Sequence, residues 1–179
     1  GLELCKMMLD YYEFTQDNKM FENEFIPFIK QIVTFYSKHY PNDAEGKLSI
    51  QPAQSLETYF EGVINPAPEL AGLNAVLSKL NEYKQLIKDD EFTNECAALY
   101  KRLPLLPNVK AKDATWVLSS GLNLGSRMNI EDPQLYAVFP YRIYSVGKPD
   151  LTLAINTFKN RSDFAFNGWQ QDAVNAALL

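Results

Sequence analysis

The stretch from Leu48 to Leu73 constrains the fold most, because it interrupts a chain whose other segments are mostly apolar at helical spacing. It contains Pro52, Pro66 and Pro68 and has no sustained helical period. An irregular connection of this length inside a helical domain is uncommon and is more often functional than not. We therefore expect this stretch to line the mouth of a binding cleft.

Outside it, apolar residues recur at the i, i+3, i+4 spacing of amphipathic helices. This pattern predicts about seven helices, and Trp116 to Leu118 is the only strand-like core between them. The expected fold class is all-α, with antiparallel helical hairpins in a single domain over residues 1–179. The last helix ends on an apolar face, so we expect the chain to be a fragment of a larger helical domain. Aspartate or asparagine residues are expected to cap or open four of these helices, namely Asp17 or Asn18, Asp89 or Asp90, Asp132 and Asp150. Pro27 predicts a kink or a restart within the second helix. The predicted helices are Leu2 to Gln16, Asn18 to His39, Glu69 to Lys88, Asp89 or Asp90 to Leu103, Asp132 to Val146, Asp150 to Phe158 and Trp169 to Leu179.

Composition excludes several classes of function. A net charge of -5 argues against nucleic acid as a partner. No apolar run approaches the roughly 20 residues of a membrane span.

Cys5 and Cys96 have neither CxxC nor Cys/His spacing, so we expect two buried thiols rather than a disulfide or metal ligands. With His39 as the only histidine, neither a catalytic triad nor a histidine metal site is expected, and no cofactor is implied.

The carboxylates and aromatics of the proline-bearing stretch supply the first candidate site. Glu57 is a candidate general acid, which would require a position in a cleft. Gln54 and Tyr59 flank it and are candidate substrate contacts. The alternative is that Glu57 is a loop glutamate that caps a backbone amide or pairs with an arginine.

Two later segments carry further candidates. Asn129 and Glu131 could hydrogen-bond sugar hydroxyls, although an acidic residue here also suits the start of a helix. Trp169 could stack on a sugar ring and Gln170 could bind its hydroxyls, although a tryptophan here could equally pack on a neighbouring helix.

Several short motifs resemble the catalytic domain of glycoside hydrolase family 95, the α-L-fucosidase-type enzymes. The segment from Phe21 through Pro27 is similar to the helix that precedes the family's general acid. Gly46-Lys-Leu48 is similar to the short extended piece that follows this helix in the family. Ser55-Leu56-Glu57 stands where the family has Ser-Pro-Glu, and a histidine-rich segment of the family is replaced here by Asn129 to Gln134. Leu135 to Pro140 resembles the family's His-Leu-Tyr-x-x-Tyr-Pro helix, without the histidine. Arg161 followed by Gly168-Trp169 resembles the family's approach to the next helix.

The resemblance implies about half of an (α/α)6, six-hairpin barrel from a bacterial enzyme that is periplasmic or secreted. It implies an inverting mechanism on a carbohydrate substrate with Glu57 as general acid. The family's base follows the Gly-Trp segment, so the isolated chain is expected to be inactive. The alternatives are a non-catalytic helical module that binds glycans or partners, and a scaffold without a site. Missing helices would leave apolar surface, so self-association is expected.

Overall fold

A computed structural model of the chain describes residues 1–164 and 171–179. The chain forms two compact units, one of Gly1–Ser49 with Gly72–Pro104 and the other of Ile50–Ala71 with Leu105–Leu179. Each unit has its own buried residues, and the candidate site lies in the second.

Helices dominate the first unit. They are α1 (Leu2–Thr15), a short α2 (Asn18–Met20), a π-helical segment (Phe21–Phe25), α3 (Ile26–His39), most of α4 (Ala67–Glu82), a 3-10 turn (Lys84–Leu86) and α5 (Asp90–Arg102). Pro27 predicts a kink or a restart of the helix. A π-helical segment lies just before it, and Pro27 itself lies in the first turn of α3, where its missing N–H costs little.

Aromatic packing and ion pairs hold these helices together. The rings of Tyr12 and Phe21 lie 4.4 Å apart, and Tyr83 meets Tyr12 edge-on at 5.4 Å. The ammonium of Lys79 on α4 lies 2.5 Å from a carboxylate oxygen of Glu13 on α1. This pairing joins two helices that are far apart in sequence.

Both cysteines belong to this unit and are buried free thiols, as the spacing predicts. Burial raises the pKa of Cys5 to about 11 and that of Cys96 to about 12. Thiols this difficult to ionise are poor nucleophiles, because the thiolate is the reactive form.

The second unit is not built from helices alone. Its elements are β1 (Ala53–Ser55), β2 (Tyr59–Val63), the first turn of α4, β3 (Asn108–Lys110), β4 (Trp116–Leu118), a 3-10 helix (Pro133–Ala137), α6 (Leu151–Lys159) and α7 (Asp172–Leu178). β1 pairs with β2 and β3 with β4, both antiparallel. The prediction of an all-α chain is therefore wrong, because these strands of three to five residues are too short for an alternating pattern to stand out.

A second correction concerns the helix predicted from Asp132 to Val146. Only Pro133–Ala137 is helical, as a 3-10 turn, and the N–H groups of Ile143 and Tyr144 both donate to the Ala137 carbonyl instead of continuing a helix. Pro140 has no N–H to donate, and Arg142 adopts a left-handed φ of 51°. The segment therefore folds into turns, which bury Leu135 and Val138 against Ala154 of α6.

A close backbone approach connects the first hairpin to the chain that follows β4. The segment at Leu122 pairs with Ile64 through two hydrogen bonds of 2.9 and 2.8 Å. A side chain at Gly121 would place its Cβ 2.6 Å from the Val63 side chain, so glycine is required there. This pairing places the β1–β2 hairpin beside the loop that leads to the 3-10 helix.

None of the helices in the described parts of the chain has the length and apolarity that crossing a membrane requires.

Candidate functional site: a polar pocket between a hairpin turn and a loop

The turn of the β1–β2 hairpin carries the candidate acid. Ser55 on β1 pairs with Tyr59 on β2, which leaves Leu56, Glu57 and Thr58 as the connection. Leu56 adopts a left-handed φ of 50°, which reverses the chain direction. As a result Glu57 projects from the turn and is exposed.

Ser55 anchors this hairpin. Its side chain is fully buried, and its hydroxyl donates a 2.7 Å hydrogen bond to the Ser120 carbonyl. Because successive residues of a strand face opposite sides, burial of Ser55 turns the neighbouring Gln54 outward. Glu57 and Gln54 are thus presented by a short, anchored hairpin.

Thr58 ties the turn to the loop of residues 127–132. The Met128 N–H donates to the Thr58 carbonyl at 2.9 Å, and the Thr58 hydroxyl donates to the Glu131 carbonyl at 3.3 Å. Thr58 is fully buried, so water does not compete for either bond. Residues 70 and 73 positions apart in sequence therefore meet at one place.

The loop of residues 127–132 is held from its other side by buried polar groups. Asp132 accepts hydrogen bonds from Arg127 at 3.2 Å and from Gln134 at 3.0 Å. The Ser120 hydroxyl donates to the side-chain oxygen of Gln134 at 2.7 Å. A continuous polar chain thus runs from the anchor of β1 to the loop.

Asp132 is mostly buried beneath this loop. Its burial raises the pKa of the carboxyl above its ordinary value, while the nearby Arg127 guanidinium acts in the opposite direction. It borders a cavity of about 20 Å³ that also touches Asn175 of α7. That volume is about what a single water molecule needs, so this cavity is too small for a sugar.

A larger pocket lies between the hairpin turn and the loop. Its volume is about 500 Å³, which falls in the range of small-molecule sites. Two carboxylates, two amides and two apolar side chains surround it, and this mixture suits a ligand that bears hydroxyl groups and apolar faces. Its lining residues are Gln54, Leu56, Glu57, Asn129, Ile130 and Glu131.

The structure brings four of the seven predicted site residues to this pocket, namely Gln54, Glu57, Asn129 and Glu131. Tyr59 lies half-buried on β2 and is not among the residues that line it. Trp169 and Gln170 lie outside the described residues.

Two features differ from the sequence-based expectation. A general acid in a cleft should be sheltered, whereas Glu57 is exposed because it occupies a hairpin turn. Three further residues that shape the site were not predicted from the sequence. Ser55 and Thr58 hydrogen-bond distant backbone groups, and Arg127 binds carbonyls of the loop that follows it. An arginine just before Asn129 and Glu131 was an available signal, because a guanidinium has five N–H donors and can bind several nearby oxygens at once.

Among the described residues, no group of three or more histidine, cysteine, aspartate or glutamate side chains is arranged to hold a metal ion.

The sequence of the chain matches a known family of carbohydrate enzymes. A family profile described as the glycosyl hydrolase family 95 catalytic domain matches residues 1–176. No curated protein matches the chain. The family match covers nearly the whole chain, including both walls of the pocket, and the predicted resemblance to this family is thereby confirmed. The chain belongs to the glycosyl hydrolase family 95 catalytic domain family.

Proposed function

We propose that this chain carries the acid side of an inverting glycoside hydrolase site, with Glu57 as the general acid. The observation that carries the proposal is that Glu57 lines one pocket with Glu131, Gln54 and Asn129 in a chain of a glycosyl hydrolase family. Membership of that family implies a carbohydrate substrate, and the pocket offers hydrogen-bonding groups for one.

In the proposed mechanism, the protonated Glu57 donates its proton to the glycosidic oxygen as the bond to the leaving group breaks. In an inverting enzyme a second carboxylate activates a water molecule on the opposite face of the sugar. Gln54, Asn129 and Glu131 would hold the sugar hydroxyls, and Tyr59, Trp169 and Gln170 are further proposed contacts. The family resemblance implies a base after the Gly-Trp segment, and we propose that the 179-residue chain alone binds sugar with negligible turnover.

A specific observation favours a second candidate function, a non-catalytic glycan-binding or interaction module. Glu57 is exposed, and Leu56 stands where the family has proline before the acid. An exposed carboxylate lacks the sheltered position in a cleft that is expected of a general acid. In that case the same pocket would bind a sugar without cleaving it.

The experiment that separates these functions is hydrolysis of aryl glycosides, fucosides and galactosides included, by the natural protein that contains this sequence. We expect Glu57→Gln to lower turnover at least ~100-fold on substrates with poor leaving groups, because these need proton donation most. Glu61→Gln is the matched control, since Glu61 is exposed on β2 of the same hairpin and does not line the pocket.

Turnover by Glu57→Gln that stays close to wild type would remove Glu57 as the acid. Sugar binding that persists in a wild-type protein without turnover would instead support the glycan-binding module.

Three further parts of the proposal rest on the family resemblance and on exposed apolar surface. We propose that the helices belong to an (α/α)6 barrel, that the protein is periplasmic or secreted, and that the chain self-associates. A fractionation experiment with an antibody to the chain tests the second of these, and a cytoplasmic signal would contradict it.

A further inference from the structure

The side chain of Arg127 lies at the centre of the loop that forms one wall of the pocket. Its Nε donates to the Asn129 carbonyl at 2.9 Å. Its Nη2 donates to the carbonyls of Ile130 and Glu131, both at 2.8 Å. One guanidinium therefore binds three consecutive backbone carbonyls.

The remaining terminal nitrogen binds side chains. Nη1 donates to Asp132 Oδ1 at 3.2 Å and to the Ser162 hydroxyl at 2.8 Å. A guanidinium has five N–H donors in a fixed plane. With five acceptors around it, Arg127 has no donor left for a ligand, so its effect on the pocket is exerted through the loop.

The three bound carbonyls belong to the residues that line the pocket, Asn129, Ile130 and Glu131, here called the 129–131 wall. Binding three successive carbonyls at one planar group curls the backbone around it. The carbonyl oxygens of these three residues thus accept hydrogen bonds from Arg127, while their side chains line the pocket.

Thr58 connects the 129–131 wall to the opposite wall of the pocket, which is the hairpin turn that carries Glu57. Its carbonyl and hydroxyl bond to Met128 and to the Glu131 carbonyl, and Thr58 is the residue after Glu57. A shift of the 129–131 wall would therefore change the spacing between Glu131 and Glu57, the two carboxylates of the pocket.

We infer that Arg127 is the positioning residue of the sugar pocket, which fixes the 129–131 wall at the distance from Glu57 that a bound sugar ring requires. This inference rests on the proposed function, because it takes a sugar as the ligand. A lysine could keep the charge opposite Asp132, but its ammonium is a point charge and cannot bind three carbonyls in one plane.

The test compares Arg127→Lys and Arg127→Ala with wild type in sugar binding, loop order and thermal stability. Binding is measured by NMR titration of the 179-residue chain with L-fucose and with D-galactose. Loop order is measured by hydrogen exchange of the amide of Met128, which donates to Thr58. Arg102→Lys is the matched control, because Arg102 also bonds a side chain and a carbonyl, Asn42 at 2.6 Å and Ser37 at 3.4 Å, in the first unit.

For Arg127→Lys we expect sugar binding to weaken about tenfold or more and the Met128 amide to exchange faster. Arg102→Lys should bind sugar as wild type does, even if both variants lose similar thermal stability. Adding methylguanidinium to Arg127→Ala should restore part of the binding, which a general loss of stability would not permit.

Two different results would overturn the inference, one through the positioning role alone and the other through the proposed function. If wild type binds sugar and Arg127→Lys binds it equally well, the positioning role alone fails. If wild type binds neither sugar and the Glu57→Gln experiment also finds no activity, the proposed function fails and the inference fails with it.

Discussion

For Asp132, the sequence correctly predicts the start of a helix at the next residue but not the hydrogen bonds that the side chain makes. Asp followed by proline predicts a helix start with the aspartate as cap. The 3-10 helix does begin at Pro133, but the Asp132 side chain makes no capping hydrogen bond. It accepts hydrogen bonds from Arg127 and Gln134 instead, so its role is to hold the pocket loop.

Its raised pKa leads to a prediction about stability and pH. A carboxyl whose pKa is higher in the folded state than its unfolded value of about 3.9 binds protons more tightly when folded. The folded state therefore loses stability as pH rises from about 4 through the raised pKa. We expect the unfolding free energy of wild type, relative to Asp132→Asn, to fall as pH rises from about 4 to 7.

Urea denaturation of both proteins at several pH values measures this difference. If wild type instead gains stability relative to Asp132→Asn as pH rises, the pairing with Arg127 outweighs burial and the pKa is lowered. An Asp113→Asn variant is a suitable comparison, because the pKa of Asp113 is lowered by its hydrogen bonds to Thr115 and its pH dependence should have the opposite sign.

At the scale of elements, helices and hairpins differ in how well the sequence predicts them. α1, α5 and α6 begin and end within a few residues of the predicted bounds, because a 3.6-residue apolar period over nine or more residues is a local signal. The β1–β2 hairpin lies in the proline-bearing stretch and depends on left-handed residues, Leu56 at φ 50° and Gly62 at φ 70°. A hydrophobic period does not predict where residues with a left-handed φ will occur.

The anchoring of that hairpin by Ser55 is testable. We expect Ser55→Ala to lower the free energy of unfolding by about 1 kcal/mol, the usual net value of one intramolecular hydrogen bond. The loss should not be larger, because the Ser120 carbonyl keeps its second donor, the Ala67 N–H at 2.9 Å.

Chemical denaturation measures this loss, with Ser126→Ala at an exposed loop position as the control. Equal stability of Ser55→Ala and wild type would show that the buried hydroxyl contributes nothing to the hairpin.

At the scale of the whole molecule, exposed apolar side chains bear on association. Leu4, Met7, Tyr11 and Phe14 recur at helical spacing along α1, and Met7 and Phe14 are 67% and 86% exposed. Contiguous exposed apolar surface usually marks an interaction site. We predict concentration-dependent self-association of the chain through this stripe.

Sedimentation velocity over a range of concentrations tests the prediction. Replacing Met7 and Phe14 together by glutamate should shift the chain toward monomer, whereas Glu3→Gln and Glu13→Gln should not. A wild-type chain that sediments as a monomer at every concentration would contradict the prediction.

The sequence by itself determined most helices, the family and four of the residues that line the pocket, because helical periods and short motifs are local properties of the chain. Only the tertiary structure decided that Glu57 is exposed in a turn, that residues 138–146 form turns after a short 3-10 helix, and that Thr58 joins the two walls while Arg127 holds one of them. Those features depend on individual hydrogen bonds, such as that of the Thr58 hydroxyl with the distant Glu131 carbonyl, and no periodic pattern encodes which backbone group a hydroxyl or guanidinium will meet.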